Sequence, residues 1–444
     1  MVNKMKKEVE VVFETITPLW TGDAWGECKE IRPSSLIGSL RFWFEVICYF
    51  SGVCNGDDFN ASLRRFEKEV NRKKLKEFIE ENGNNIEVIL KYLANDQEIP
   101  IPAIVFGTTN WRSLIEIKSI TPIKDYCFGN KLNLPYSIGI KKENLKIEEY
   151  KLREDWLYKI NSYSGKYFKD KLNNAKKEYS FFFFPHPYFY GKFKVIFKVE
   201  EKILESIFYP LLNFMEKYGF WGGKWNIGYG RLKVLKVEEK EGESWEEKSD
   251  WRKDEFNFEI FNDKDKLKFR KIKINDVITE KILNKNSDSS EFLKEFLEVD
   301  NFHCNMDKKL EEIKNKIPKN ITFLNIEDLK DKDFLNLIKE LLKIKVKMRN
   351  CLRHECEKLF EKCFEGKNGK KEFKPDKEIL CNSKKIKCNE LKLWRNLRHR
   401  LLGSRGGDGS KILPFICKEG SIYKGGFISI AGVLNLYENK GESK

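Results

Sequence analysis

EVEVVFETITPLWTGDAWGECKEIRPSSLIGSLRFWFEVI, Glu8 to Ile47, changes its period partway along. At the start, Val9, Val11, Phe13 and Thr15 alternate with Glu8, Glu10, Val12 and Glu14, the pattern of a half-buried strand, which Pro18 ends. At the far end, Leu36, Leu40, Trp43, Phe44 and Ile47 recur at spacings of four, three, one and three. That is one apolar face of a helix, with Ser34 or Ser35 standing where its N-cap would. A turn-rich connection of Gly, Asp, Thr and Trp joins the two.

Outward from this strand and helix, a lysine- and glutamate-rich helical stretch covers residues 71–96, and a strand-like segment runs from Leu114 to Ile120. A second clear strand follows the aromatic run FFFFPHPYFY, where Phe193, Val195, Phe197 and Val199 alternate with Lys194, Lys198 and Glu200. A helix then fits Ile203, Leu204, Ile207, Phe208, Leu211, Leu212 and Met215, with Pro210 as a kink. The glycine-rich YGFWGGKWNIGYGRLKV, Tyr218 to Val234, leads into a further strand, Leu232 to Val237. Strand, helix, intervening strands, strand, helix, loop, strand is the order of a ferredoxin-like split βαβ fold, so the class is α+β. In that topology the Trp20–Ser35 connection and the Tyr218–Arg231 loop face one another at one sheet edge.

The charged EEKEGESWEEKSDWRKDE, Glu238 to Glu255, reads as a linker, giving domains over 1–240 and 250–444. The second half is helical in its middle, notably Phe334 to Phe364. It closes with LLGSRGGDGSKILPF and the alternating Ile428, Ile430, Gly432, Leu434 and Leu436, read as a terminal strand. A glycine-rich loop before a terminal strand thus occurs twice, a weak internal repeat.

The 444 residues carry a formal net charge of +15, which suits a polyanion, although a lysine-rich composition produces the same excess in proteins of any function. No run approaches the ~18 apolar residues of a spanning helix, and the basic start lacks a cleavage site, so a cytoplasmic protein with no membrane partner is expected. Eleven scattered cysteines argue for reduced thiols rather than a disulfide framework. Cys351, His354, Cys356, Cys363, Cys381 and Cys388 include no Cys-x2-Cys pair and match no zinc module, so no metal is expected.

Glycine surrenders the most backbone entropy on folding, so five in the thirteen residues from Tyr218 to Gly230 require a compensating gain. The loop lacks the glycine and Ser/Thr positions of a phosphate-binding NTPase loop, and Lys233 stands where a dinucleotide fingerprint needs glycine, so no nucleotide cofactor is implied. Two readings remain: backbone and rings that meet RNA, or a loop whose Trp221 and Trp225 plug the core. Opposite it, Arg32, Ser34 and Ser35 open the helix where unpaired amides attract anions, Gly38 keeps the helix slim, and Arg41 lies off the apolar face. His399, in WRNLRHRLLGSRGG, is the one histidine in a basic, glycine-flanked context suited to acid–base chemistry on RNA, and no second catalytic group accompanies it.

FETITPLWTGDAWGECKEIRPSSLIGSLRFWFEVI resembles the N-terminal signature of the RAMP proteins of type III-B CRISPR systems, specifically the first-subunit family of the Cmr effector complex. The matching positions are Thr17, Pro18, Thr21, Gly22, Arg32, Pro33, Ser35, Gly38, Leu40, Arg41, Phe42 and Trp43, with Phe44 in place of a second tryptophan. Phe106, Gly107, Arg112 and Ser113 resemble a second family segment, with Thr108 in place of its serine, and the Tyr218–Val234 loop looks like the class's glycine-rich mark. The resemblance implies two tandem ferredoxin-like, RRM-related domains with helical insertions. It implies a non-catalytic subunit of the effector ribonucleoprotein that binds the 3′ part of the guide RNA and the paired target RNA beside other Cmr subunits in antiviral defence. The residues expected to meet RNA are Trp20, Thr21, Arg32, Ser34, Ser35, Gly38, Arg41, Gly222, Gly223, Lys224, Trp225, Asn226, Gly228, Tyr229 and Arg231, with Arg405 in the second loop. The alternative is a metal-independent RAMP endoribonuclease that processes guide RNA with His399 as base.

Overall fold

The computed structural model describes residues 6–23, 27–123, 126–129, 135–141, 178–183, 186–262, 271–298, 316–352, 355–366, 372–381, 384–403 and 409–438. Its first sheet is built from β1 (Lys6–Thr15), β2 (Ile115–Pro122), β3 (Lys192–Glu200), β4 (Leu232–Glu241) and β5 (Ser244–Glu247), in the spatial order β5-β4-β1-β3-β2. Every pairing is antiparallel. Helix α1 (Pro33–Phe50) follows β1, and α2 (Tyr209–Lys217) follows β3. With β5 set aside as an added hairpin strand, the order fourth, first, third, second is the ferredoxin-like arrangement.

Alternation sets the faces. Val9, Val11 and Phe13 point into the core with Val195, Phe197 and Val234, while on the other face Glu8 accepts Lys118 at 2.6 Å and lies 3.9 Å from Lys198. Helix α1 buries Leu36, Leu40, Trp43, Phe44 and Ile47 as its spacing requires. Its start is two or three residues earlier than the serines suggest: Arg32 is the N-cap without a side-chain cap bond, Pro33 follows in the first turn, and Ser34 and Ser35 lie inside the helix. Pro210 lies inside an unbroken helical run from Glu201 to Lys217, directly after a wider π-helical turn, Leu204–Phe208, the kind of irregularity that accommodates a proline's missing N–H.

The second sheet has the order β6 (Ile278–Asn284), β7 (Ile321–Asp331), β9 (Ile422–Ser429), β8 (Ile412–Glu419). Strand β7, helix α4 (Phe334–Cys351) and the β8–β9 hairpin repeat the first part of the ferredoxin order. The fourth place is filled by β6, which comes before β7 in the chain and runs parallel to it, with α3 (Ser289–Leu297) between them. Helix α5 (Cys388–Leu402) precedes β8.

Four expectations change here. The charged Glu238–Glu255 stretch is no loose linker: β4 continues to Glu241 and turns back as β5 onto the same sheet. The second glycine segment leads into β8, second in its unit, whereas the first leads into the fourth strand, so the two loops are not topological equivalents. The alternation after Ile428 leaves the sheet, since Ala431–Leu434 is a 3-10 turn and Asn435–Glu438 a helical turn. The cysteines are not all thiols: Cys363 and Cys388 form a disulfide inside a small cluster with Ile379 and Leu391, a pairing that a separation of 25 residues does not announce.

The two sheets share apolar packing. Phe323 of β7 stands 4.9 Å from Phe415 of β8, which meets Phe220 of the first glycine loop at 6.0 Å. The Tyr218 hydroxyl donates to Glu280 of β6 at 2.6 Å. Among the described residues, no helix is long and apolar enough to cross a membrane.

Candidate nucleic-acid interface

The two segments expected to share a sheet edge are laced together there. Gly223 N–H donates to the Trp20 carbonyl at 2.8 Å, and Gly230 N–H to the Pro18 carbonyl at 2.9 Å. The Thr17 hydroxyl donates to the Gly228 carbonyl at 2.8 Å and accepts from Arg231 N–H at 3.0 Å. The helix joins in: Gly222 N–H donates to Ser39 Oγ at 2.9 Å, and the Trp43 indole to the Phe220 carbonyl at 3.2 Å.

This lacing accounts for two of the glycines. Gly222 has φ of 69° and Gly230 of 86°, and a Cβ would overlap the Trp20 carbonyl oxygen at the first and the Trp221 carbonyl oxygen at the second. Here the loop gains close backbone approach within the chain itself. Trp221 is buried, as the core-plug reading expects, while Trp225 is only partly so, packing against Phe42 at 5.1 Å.

Arg231 is where that geometry overturns a surface role. It is 1% exposed, and its guanidinium donates to the carbonyls of Met215 (3.3 Å), Glu216 (2.8 Å), Lys217 (3.0 Å) and Gly219, closing the C-terminal end of α2. It also reaches the Ile416 carbonyl of β8 at 3.3 Å and lies 4.1 Å over the Phe415 ring. Burial pushes its pKa down to about 9, which still leaves it charged near neutrality at the negative end of the helix dipole.

Arg41 is likewise committed inward. Its guanidinium donates to Glu45 at 2.9 Å, Glu67 at 3.1 Å and the Gly107 carbonyl at 3.0 Å, tying α1 to the segments that follow. Burial lifts the Glu45 carboxyl to about 7 against the pull of Arg41. Thr21, Gly228 and Tyr229 are buried as well, Thr21 holding the Glu30 carbonyl and the Arg32 N–H.

The outer rim keeps the rest. Trp20, Arg32, Ser35, Gly222, Gly223, Lys224 and Trp225 are half-buried, and Ser34, Gly38 and Asn226 are exposed. Lys224 adopts φ of 65°, and its ammonium sits 4.8 Å over the Trp20 ring, where burial lowers its pKa. Among the described residues Arg32 reaches only long ion pairs, 3.7 Å to Asp23 and 3.9 Å to Glu30. Gly38 differs from the loop glycines, because a Cβ there would meet nothing within 4 Å. Slimness at Gly38 therefore serves no packing among the described residues.

Arg405, His303 and His354 lie outside the described residues. His399 is on α5, half-buried, with Arg398 Nη2 3.1 Å from its Nε2 and Arg400 on its other side in sequence. Among the described residues no group of three or more His, Cys, Asp or Glu is placed to hold a metal. Sequence reasoning passed over Ser39 and Lys345, and gave Thr17 only as a match to the family signature. Lys345, in α4, is 7% exposed and donates to the Asn226 carbonyl at 2.9 Å. Its one legible signal is a lysine among the apolar positions of IKELLKIKVKM.

The model of the RAMP superfamily matches residues 12–233, half of the chain. No curated protein matches it. Among solved structures, Cmr1 from Pyrococcus furiosus (apo form) is similar at 12% identity and a TM-score of 0.30, over 95% of this chain and 87% of that one. A chain of the type III-B Cmr-beta bound to cognate target RNA is similar at 13% and 0.31, over 95% and 94%. Cmr6 from Pyrococcus furiosus is similar at 14% and 0.23, over 53% and 100%.

Proposed function

The chain belongs to the RAMP superfamily, and from that premise we propose that it is a non-catalytic RNA-binding subunit of a type III-B CRISPR (Cmr) RNA-guided effector. It acts in the cytoplasm, holds the 3′ region of the guide RNA and the paired target, and docks against other Cmr subunits.

The observation that carries the reading is Gly38. Glycine inside a helix costs about 0.5–1 kcal/mol relative to alanine, and packing among the described residues gives no reason for it, since nothing of theirs stands within 4 Å of where its Cβ would be. A partner that comes close to the helix surface supplies the reason. Gly38 stands one turn beyond Ser34 and one turn before Phe42, on the rim that also carries Arg32, Lys224 and Asn226. Half-exposed rings, cations and open backbone suit the phosphates and unpaired bases of RNA. The non-catalytic part is supported by the sequence WRNLRHRLLGSRGG, in which His399 is accompanied by no second acid–base group.

Binding of a fluorescent single-stranded RNA tests the reading. Arg32→Ala and Lys224→Ala should each weaken affinity and lower the salt slope by about 0.7 for every phosphate no longer neutralised, and the RNA should stay intact in EDTA. Unchanged slopes in both variants refute the placement of the interface, and cleavage that disappears in His399→Ala turns the protein into a nuclease.

A further inference from the structure

Helix α4 reaches both glycine-rich segments through two cations four residues apart, a spacing that puts them on one helix face. Lys345 Nζ donates to the Asn226 carbonyl in the first loop at 2.9 Å. Arg349 Nη2 donates to the carbonyls of Leu402 (2.6 Å) and Gly403 (2.8 Å), where the second segment begins. Strand β8, which follows that segment, passes beside the first loop, with the Pro414 carbonyl 3.4 Å from where a Gly228 Cβ would stand. The first loop and the described residues that flank the second segment thus share one seam.

Lys345 is costly where it stands. It is more than nine-tenths buried, its hydrogen bond is to a single carbonyl, and no ion pair holds it among the described residues. Burial drives its pKa well down, and the nearby Arg349 adds to that. Burying a lysine with no carboxylate beside it among the described residues is an expense that folding alone does not justify. Asn226, whose carbonyl takes that bond, is itself exposed to solvent and stands two residues after Lys224.

We propose that the seam over Asn226 is an anion site for an RNA phosphate, with Lys345 of the second half supplying the charge from beneath the loop of the first. The inference rests on the RNA-binding reading above and deepens it: the glycine loop meets RNA as one half of a composite site. A phosphate seated on Asn226 would sense the Lys345 charge through the loop, and at intermediate dielectric a unit charge at a separation on the order of 6 Å changes affinity by about tenfold.

The test uses the full chain, a fluorescent single-stranded RNA and several salt concentrations. Lys345→Met should weaken binding about tenfold, reduce the salt slope by about 0.7 and leave the melting temperature equal or higher, while Lys345→Arg restores affinity. Because Lys345→Met could fail to fold, the exposed Asn226→Asp serves as a second variant. Its carboxylate should raise the melting temperature by neutralising the buried cation and lower RNA affinity by occupying the site. Wild-type affinity and slope in Lys345→Met, or wild-type binding with a lowered melting temperature in Asn226→Asp, overturn the proposal. If the wild-type protein itself binds no RNA, the proposed function falls with it. If the wild type binds and both variants match it, the anion site alone is refuted.

Discussion

Gly38→Ala separates a packing role from a partner's approach, because the two make opposite forecasts. The new methyl enters open space, with nothing within 4 Å, in the interior of an 18-residue helix. Alanine there should therefore stabilise the protein by about 0.5–1 kcal/mol. Unfolding entropy scales at about 2 cal/mol/K per residue, so over 444 residues that is a rise in melting temperature of about 1 °C. Urea titration, which reads the midpoint directly, is the better assay. Binding should move the other way: modestly in Gly38→Ala and severely in Gly38→Leu, whose side chain projects several ångströms from the helix surface. A Gly38→Ala protein that is less stable than wild type refutes the reading of open space. A Gly38→Leu protein that binds RNA like the wild type refutes close approach at this face.

Further expectations concern residues that the geometry assigns to the fold. Arg231→Met should destabilise by roughly 3–5 kcal/mol, because it strands the carbonyls of the α2 terminus and of Ile416; a variant as stable as wild type in urea refutes the capping role. Gly230→Ala, forced to positive φ against the Trp221 carbonyl, should cost more than about 2 kcal/mol and loosen the loop to proteolysis, and an unchanged cleavage pattern counts against it. Burial raises the Glu45 carboxyl to about 7 from 4.5, so its favourable term is complete below pH 4.5 and fades as pH climbs through 7. Relative to Glu45→Gln, the wild type should lose up to about 3 kcal/mol across that window, and a flat difference between the two titrations contradicts it. Cys363→Ser opens a 25-residue closure and should cost about 3 kcal/mol in the small cluster, with a linked Cys363–Cys388 peptide seen by mass spectrometry in the wild type alone.

Much of the first sheet was legible because its strands alternate cleanly and its helices keep one apolar face. Val9, Val11 and Phe13 fall on the core side, and the expected meeting of the Trp20 connection with the Tyr218 loop is realised in bonds such as Gly223 to Trp20. What sequence could not weigh is which polar groups the fold consumes. Arg41 and Arg231 read as phosphate cations because composition and position say nothing of the carbonyls and carboxylates that long-range packing brings to them. Glycines divide in a way that sequence does not show: Gly222 and Gly230 serve internal contacts, while Gly38, on the helix facing them, has none among the described residues. The parallel entry of β6 and the hairpin of β4 and β5 escaped because strand direction and charged turns leave no periodic signature.

The central claim is that this chain holds guide RNA, and isolating the tagged protein gently from its host and sequencing the RNA that accompanies it tests this most directly. The account requires short RNAs that share one repeat-derived 5′ handle followed by many different spacers. No enriched RNA, or only ribosomal and transfer RNA, contradicts it.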